Sequence, residues 1–244
     1  NRYGASGTID IAKGGVLEIR NSIAGNENAP RMNVGYLAGS VGVVTVDGSG
    51  SAINITQVGG VYGYDRGGAA LQVGKYGDGT LIVENNAQVN LTGEYGLFRV
   101  SRGDASAYDS APLSEAFILS GADVNMAMTG GTYYGAVAMI GRHANANGRL
   151  IVDGSGSTFT VTGDNVGSSD SETARLLVAR QGQGELVVTG GADVLIDSGD
   201  DKRPVLSVGM LNASFGTLSI AGGGSTLILQ TTNSDADGGG FISV

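Results

Sequence analysis

The sequence predicts an all-β protein, a right-handed parallel β-helix with three short strands in each of about seven coils. Three observations support this prediction. Glycine makes up 44 of the 244 residues, while proline occurs 3 times and aromatic residues account for 6%. Short segments alternate apolar and other residues, as strands with one buried face do. The same succession of segments recurs along the chain, with 27 residues between the equivalent positions Val73 and Val100 and 40 between Val100 and Ile140.

Each repeat unit begins with a strand of the form apolar-x-apolar-Gly, followed by a turn and two further apolar-x-apolar strands. The third residue of the first strand marks the unit, and these markers are Val34, Val73, Val100, Ile140, Val178, Val208 and Val244. Units begin near residues 7, 32, 71, 98, 138, 176, 206 and 241, where the first is the back half of a unit and the last is the start of one. We expect residues 1–244 to form one β-helix domain that is a fragment of a longer protein.

Alternation within a unit predicts which side chains face the core. In the unit from Leu71 the inward residues of the three strands are Leu71 and Val73, Leu81 and Val83, and Val89 and Leu91. One coil alone buries too little apolar surface to offset the entropy cost of ordering its backbone. The coils are therefore expected to depend on stacking against their neighbours.

The chain is acidic, with a formal net charge of −9 at pH 7, and it has no cysteine. The electrostatic field of such a molecule repels phosphate groups, so nucleic acid and anionic membrane are excluded as general partners. Disulfides cannot form, and the apolar runs are too short for a membrane span. An anionic ligand would need a local cluster of positive charge.

Two units show the repeat most clearly: LQVGKYGDGTLIVENNAQVNL from Leu71 and LLVARQGQGELVVTGGADVLI from Leu176. They follow the pattern L-x-V-G-x-x-G-x-G-x-L-x-V-x-G-x-G-S-x-L-x-V, which resembles the repeats in passenger domains of bacterial autotransporters, many of which are adhesins. The resemblance covers residues 7–244. It implies a right-handed parallel β-helix that is exported across the outer membrane and displayed outside a Gram-negative cell. The absence of cysteine is in keeping with that route.

The sequence offers no set of groups for catalysis, and we expect a protein that is not an enzyme and has no cofactor. Its one histidine, His143, lies in the turn GRHANANG, and the chain has no G-x-S-x-G motif that would supply a serine nucleophile. Sugar-cleaving enzymes use paired carboxylates. The outward positions of the first strands instead hold Gln72, Arg99, Met139, Leu177 and Ser207.

Acidic residues cluster in the connections after the third strands. The clusters are Asp164, Asp170 and Glu172; Asp197, Asp200 and Asp201; and Asp235 and Asp237. The segment DADG from Asp235 matches only part of a calcium-binding loop, whose other ligands are missing. We interpret these carboxylates as solvated loop charges and predict no metal site.

Stacking of the coils turns equivalent outward positions into ladders. The middle residues of the second strands are assigned to an apolar stripe of Ile82, Ile118, Ile151 and Val187, with Thr45 and Ser219 at its ends. Two interpretations of this stripe are open: packing between neighbouring coils, and self-association with a second chain. A polar ladder of Asn54, Asn90 and Asn125 on the third strands is expected to form hydrogen bonds between coils.

A row of cations is predicted at one corner of the rod. The residues two positions after the markers are Tyr36, Lys75, Arg102, Arg142, Arg180 and Met210. Four successive coils thus place a positive charge at the same corner, where charges about 5 Å apart repel by about 0.8 kcal/mol in water. The row is either a site for an anionic ligand or a copied turn residue, with Asp78, Asp104 or Asp109 neutralising the corner.

Arg102, Gly103 and Asp104 form the tripeptide that integrins recognise. The preceding unit has GKYGDG in the same turn, so repetition also explains a basic residue, Gly and Asp there. Val100 to Phe117 spans 17 positions where Val73 to Leu81 spans 8, which indicates an insertion of nine residues within ASAYDSAPLSEA. This loop adds Tyr108 to the candidate ligand-binding residues.

These features predict a surface-displayed or secreted adhesin that binds a host-cell or matrix component or an anionic glycan. The candidate ligand-binding residues are Lys75, Arg102, Gly103, Asp104, Tyr108, Arg142 and Arg180. Self-association through the apolar stripe, leading to biofilm formation, is a second expectation. The alternative is a structural spacer that presents a distal domain.

Overall fold

The computed structural model describes residues 4–21, 29–58, 68–103, 112–129, 135–164, 173–199, 203–231 and 240–244. Within these ranges the chain is all-β and contains no helix. Its strands, in chain order, are β1 (Ser6–Ala12), β2 (Val16–Arg20), β3 (Arg31–Val34), β4 (Val41–Asp47), β5 (Ala52–Thr56), β6 (Ala69–Val73), β7 (Asp78–Glu84), β8 (Gln88–Gly93), β9 (Gly96–Val100), β10 (Leu113–Leu119), β11 (Asp123–Thr129), β12 (Ala136–Ile140), β13 (Asn147–Asp153), β14 (Thr158–Asp164), β15 (Ala174–Val178), β16 (Gln183–Thr189), β17 (Asp193–Asp197), β18 (Pro204–Val208), β19 (Phe215–Ile220), β20 (Thr226–Gln230) and β21 (Phe241–Ser243).

The strands form three parallel sheets, each with seven strands within the described ranges. Sheet A has the order β1-β4-β7-β10-β13-β16-β19, sheet B the order β2-β5-β8-β11-β14-β17-β20, and sheet C the order β3-β6-β9-β12-β15-β18-β21. Each strand pairs with the strands three places before and after it, so the chain passes from sheet C to sheet A to sheet B and then begins the next coil. The predicted β-helix with three strands per coil is confirmed.

The register between coils follows the predicted markers. Val73 pairs with Val34 and Val100, and Ile140 pairs with Val100 and Val178. Alternation along each strand sends every second side chain into one continuous apolar core. The six inward residues predicted for the unit from Leu71 are all fully buried, at 0% exposure: Leu71, Val73, Leu81, Val83, Val89 and Leu91.

The predicted outward placement of Ile118 is wrong by one residue. Ile118 pairs with Val83 and is fully buried, whereas Phe117 pairs with Ile82 and Ile151 on the outer face of sheet A. An outward Ile118 would place Phe117 and Leu119 on the inward face. The inward pair is instead Ala116 and Ile118, and a one-residue change of register moves every side chain of a strand to the other face.

The same shift corrects the size of the insertion that precedes β10. Val100 to Ala116 spans 16 positions, against 8 from Val73 to its structural counterpart Leu81, so eight residues are inserted rather than nine. The last four residues of the segment assigned to the loop, 113–116, belong to β10. Ser114 takes the place held by Gly148 in the next coil.

Much of the outer face of sheet C is buried, contrary to expectation. Gln72 and Arg99 point away from the core but are each only 2% exposed. Next to them lies a second apolar cluster of Ala70, Tyr95, Leu97, Val137, Met139 and Leu177. Most of the surface accessible to a ligand on the described chain therefore belongs to sheets A and B and the corners of the rod.

The corner between sheets C and A requires a left-handed backbone immediately after each marker. The residues at this position have φ between 57° and 73° and are Gly35, Gly74, Ser101, Gly141, Ala179 and Gly209. At Gly141 an added Cβ would lie 2.1 Å from the backbone oxygen of Gln183 in the next coil. The tight approach of coils at this corner fixes where the following residue, the cation, emerges.

Candidate functional site

The backbone stacks the four predicted cations at one corner of the rod. We call Lys75, Arg102, Arg142 and Arg180 the cationic corner. The amide of each cation donates a hydrogen bond to a carbonyl of the preceding coil: Lys75 to Gly35 at 3.0 Å, Arg102 to Gly74 at 2.8 Å, Arg142 to Ser101 at 3.1 Å and Arg180 to Gly141 at 3.0 Å. Because the bonds are equivalent, the four side chains start from equivalent positions.

Two tyrosines pack against the first two cations. The Nζ of Lys75 lies 4.1 Å from the ring centroid of Tyr36 and 5.0 Å from that of Tyr76. Arg102 continues the cluster, since its Nη1 donates to the hydroxyl of Tyr76 at 3.3 Å and its Cζ lies 5.6 Å from the ring centroid. Cation–π contacts of this kind hold cations in place without neutralising them.

The charge of Lys75 also acts on the phenol of Tyr36. A hydrogen bond from Lys75, followed by the positive charge of the same group, lowers the pKa of Tyr36. Sequence reasoning had included Tyr36 in the row but had missed Tyr76. The signal for Tyr76 was present in the turn GKYG, where an aromatic residue follows directly on the cation.

The cations of the corner differ in exposure from coil to coil. Lys75 and Arg142 are buried, at 7% and 5% exposure, whereas Arg102 and Arg180 are half-buried. The positions at the two ends of the row are exposed, with Tyr36 at 45% and Met210 at 48%. An external ligand can therefore reach Arg102 and Arg180 more readily than the other two cations.

Carboxylates do not neutralise the accessible cations within the part of the chain that the structure describes. The ion pairs found there join Arg149 to Glu115 and Glu185, and none involves Lys75, Arg102 or Arg180. Asp78, one of the expected neutralising residues, begins β7 and is half-buried.

His143 follows the third cation and is half-buried. Its Nδ1 lies 3.4 Å from Oε1 of Gln181. Burial lowers the pKa of His143, and the charges of Arg142, Arg102 and Arg180 lower it further, while the hydrogen bond with Gln181 opposes them. The lowered pKa of the imidazole thus reflects its burial first and the neighbouring arginines second.

Only part of the integrin-type tripeptide belongs to the described residues. Arg102 contacts Tyr76, and Gly103 is buried with a φ of 66°. Asp104, Tyr108 and Asp109 lie outside the described residues, so the loop part of the predicted site stays a prediction.

The outer face of sheet A holds an apolar row across four coils. We call Ile82, Phe117, Ile151 and Val187 the sheet A stripe, and all four are half-buried. Thr45 and Ser219 lie at its ends, as expected.

A row of alternating charge runs beside the stripe. Nε of Arg149 lies 2.9 Å from Oε2 of Glu185, and its Nη1 lies 3.7 Å from Oε1 of Glu115. Next to this row is a groove of about 420 Å³ whose apolar walls are Leu113 and Phe215, which are 46% and 67% exposed. The face thus combines apolar area with paired charges.

Sheet B presents the polar ladder that the sequence predicted. Nδ2 of Asn90 donates to Oδ1 of Asn54 at 2.9 Å, and Nδ2 of Asn125 donates to Oδ1 of Asn90 at 3.4 Å. The ladder of hydrogen bonds between coils is confirmed. Because these amides bond to one another, sheet B is a less favourable ligand surface than the cationic corner.

The described residues contain no group of three or more histidine and acidic side chains placed to hold a metal ion. They also contain no helix long and apolar enough to cross a membrane. The fold defines the chain as a β-solenoid, and this is the class of protein that the structure shows. Comparison with protein-family models, with curated proteins and with solved structures finds no match to this chain.

Proposed function

We propose that this chain is a segment of an autotransporter passenger domain, displayed on a bacterial surface, that acts as an adhesin by binding an anionic glycan or matrix component of a host. The repeat pattern and the three-stranded coil support the passenger assignment. The cationic corner supports the ligand class, and the mode of action is binding rather than catalysis.

One observation underlies the choice of ligand. Lys75, Arg102 and Arg180 share one corner without an ion-paired carboxylate among the described residues, on a chain whose net charge is −9. An acidic protein gains nothing in solubility from concentrating unneutralised cations in one row. An anion that contacts them forms charge-assisted hydrogen bonds, which are stronger than neutral ones.

A binding screen of the purified chain against glycan and matrix-protein arrays tests this proposal. We expect binding to anionic glycans, loss of binding in the double variant Arg102→Ser/Arg180→Ser, and retention in the control Lys13→Asn/Arg20→Ser. The control removes two exposed cations from another part of the surface. Failure to bind any anionic glycan, or equal binding by both variants, would overturn the proposal.

Self-association through the outer face of sheet A is a second candidate function. The sheet A stripe supplies apolar area, and the row Glu115, Arg149 and Glu185 has alternating sign. When two copies face each other with a shift of one coil, this row places each Arg149 opposite a glutamate of the other copy. Such an interface would hold cells together in a biofilm.

Sedimentation of the chain at increasing concentration tests the second candidate. Phe117→Lys places a charge in the middle of the stripe and should keep the chain monomeric. The control Gln88→Lys adds the same charge to an exposed position of sheet B and should self-associate like the unmodified chain. A chain that stays monomeric without substitution contradicts self-association, and one that also binds no glycan favours the spacer.

A further inference from the structure

We infer that the cationic corner recognises a linear polysaccharide with an anionic group on every second sugar, and that Arg102 and Arg180 are its two charge contacts. This inference rests on the proposed function and names the ligand class of the same site. It predicts a spacing of charge that the ligand must match, rather than a general preference for anions.

Exposure along the row alternates from coil to coil between Tyr36 and Arg180. Tyr36 is 45% exposed, Lys75 is 7% exposed, Arg102 is half-buried, Arg142 is 5% exposed and Arg180 is half-buried. Every second coil therefore offers a side chain to an external ligand. The coils between them hold cations that add to the local positive potential but have little surface for contact.

The contacts of Lys75 show why a cation of this row can be buried. Its ammonium contacts the rings of both Tyr36 and Tyr76, at 4.1 and 5.0 Å from their centroids. Arg102, in the next coil, contacts Tyr76 through one guanidinium nitrogen. A guanidinium that donates one hydrogen bond to a tyrosine has other N–H groups that can donate to a carboxylate or sulfate.

The geometry of the coil sets the distance between the two accessible cations. Coils advance by about 4.8 Å, so Arg102 and Arg180, two coils apart, emerge about 10 Å from each other along the rod. A pyranose in a linear chain advances by a length comparable to one coil. A polysaccharide lying along the corner would therefore bring alternate sugars to Arg102 and Arg180 and, two coils before Arg102, a sugar face to the exposed ring of Tyr36.

Two oligosaccharides of equal charge test the spacing. A hyaluronan tetrasaccharide has two carboxylates on alternate sugars, and digalacturonate has two carboxylates on adjacent sugars. We expect the tetrasaccharide to bind about tenfold tighter than digalacturonate, and tighter than the hyaluronan disaccharide by a similar factor, because only the tetrasaccharide reaches both arginines. Isothermal titration of the unmodified chain measures this. Equal affinities for the tetrasaccharide and digalacturonate would overturn the inference.

Single substitutions along the row test which cations make contact. Arg102→Gln and Arg180→Gln should each weaken tetrasaccharide binding about tenfold and reduce the dependence of log affinity on log salt concentration. Lys75→Gln and Arg142→Gln remove charges that act only through the local potential and should reduce the salt dependence by less, with circular dichroism used to verify folding. If the Lys75 and Arg142 variants fold and lose as much salt dependence as the Arg102 and Arg180 variants, the inference is wrong. In that outcome anionic glycans still bind at the corner and the proposed function stands, whereas absence of all anionic binding removes both.

Discussion

Ile118 and Phe117 are neighbours in β10 but lie on opposite faces of sheet A, so truncating each to alanine tests the register of the central coil. Ile118 is fully buried in the core. Its truncation leaves a cavity between packed coils, and we expect a loss of about 2–5 kcal/mol in the free energy of unfolding. Phe117 loses its cross-strand contacts with Ile82 and Ile151, each worth about 0.2–1 kcal/mol. Truncation of Phe117 should therefore lower the free energy of unfolding by about 2 kcal/mol or less.

Urea unfolding followed by the circular dichroism of the β-sheet measures both values. Because a solenoid can unfold in parts, hydrogen exchange of β10 provides a second, local measurement. The Ile118 variant should show faster exchange in β10 and in its sheet A neighbours, while the Phe117 variant should keep most of its protection. A larger loss for Phe117→Ala than for Ile118→Ala would refute the register and, with it, the sheet A stripe.

Three further predictions concern the corner and the ladder. Gly141→Ala places a Cβ 2.1 Å from the backbone oxygen of Gln183, at a residue whose φ is 72°. Urea unfolding should therefore show a loss of at least about 2 kcal/mol in the free energy of unfolding. Unchanged stability would contradict the corner geometry. Asn90→Ala removes both hydrogen bonds of the ladder and leaves the amide of Asn125 without its acceptor in the ladder. The free energy of unfolding should fall by about 1–2 kcal/mol in the same assay, whereas the exposed control Gln88→Ala should leave it unchanged. Because the pKa of His143 is lowered by folding, the unfolded chain binds its proton more readily, and stability should fall as the pH drops below about 6.5. His143→Gln should remove that part of the pH dependence, and an identical profile in the variant would speak against the buried environment of the imidazole.

Much of the fold followed from alternation and repetition. The markers predicted the register because each coil contacts mainly its neighbours, so equivalent residues of successive units pair directly. Val73, Val100 and Ile140 show this, since the repeat predicted their pairing although 27 and 40 residues separate them. The length of a connection does not alter which strands stack.

The error at Ile118 shows where the pattern of apolar residues was insufficient. Four apolar residues in succession, from Ala116 to Leu119, fit two registers equally well. The decisive signal was the small residue two positions before the first inward side chain, which is Ser114 here and Gly148 in the next coil. Aligning this position would have placed Phe117 outside, because close approach at the corner requires a small residue there.

The residue types along the repeat did not predict the burial on the outer face of sheet C. They also did not predict that the exposure of the cations alternates between coils. Sequence position shows which way a side chain starts, but exposure depends on what packs beside it. Lys75 is buried because Tyr36 and Tyr76 lie against it, a contact between neighbouring coils that requires the register and the turn geometry together. Fewer cations are therefore accessible to a ligand than the four equivalent ones that the sequence predicted.

The most direct test of ligand binding at the cationic corner is the affinity of the chain for immobilised hyaluronan. It is measured at several salt concentrations for the unmodified protein, for Arg102→Ser/Arg180→Ser and for Lys13→Asn/Arg20→Ser. We expect salt-sensitive binding by the unmodified chain and by the Lys13→Asn/Arg20→Ser control, and about a hundredfold loss with a shallower salt dependence for Arg102→Ser/Arg180→Ser. Binding that is absent in the unmodified chain, or that survives removal of both arginines, would contradict this expectation.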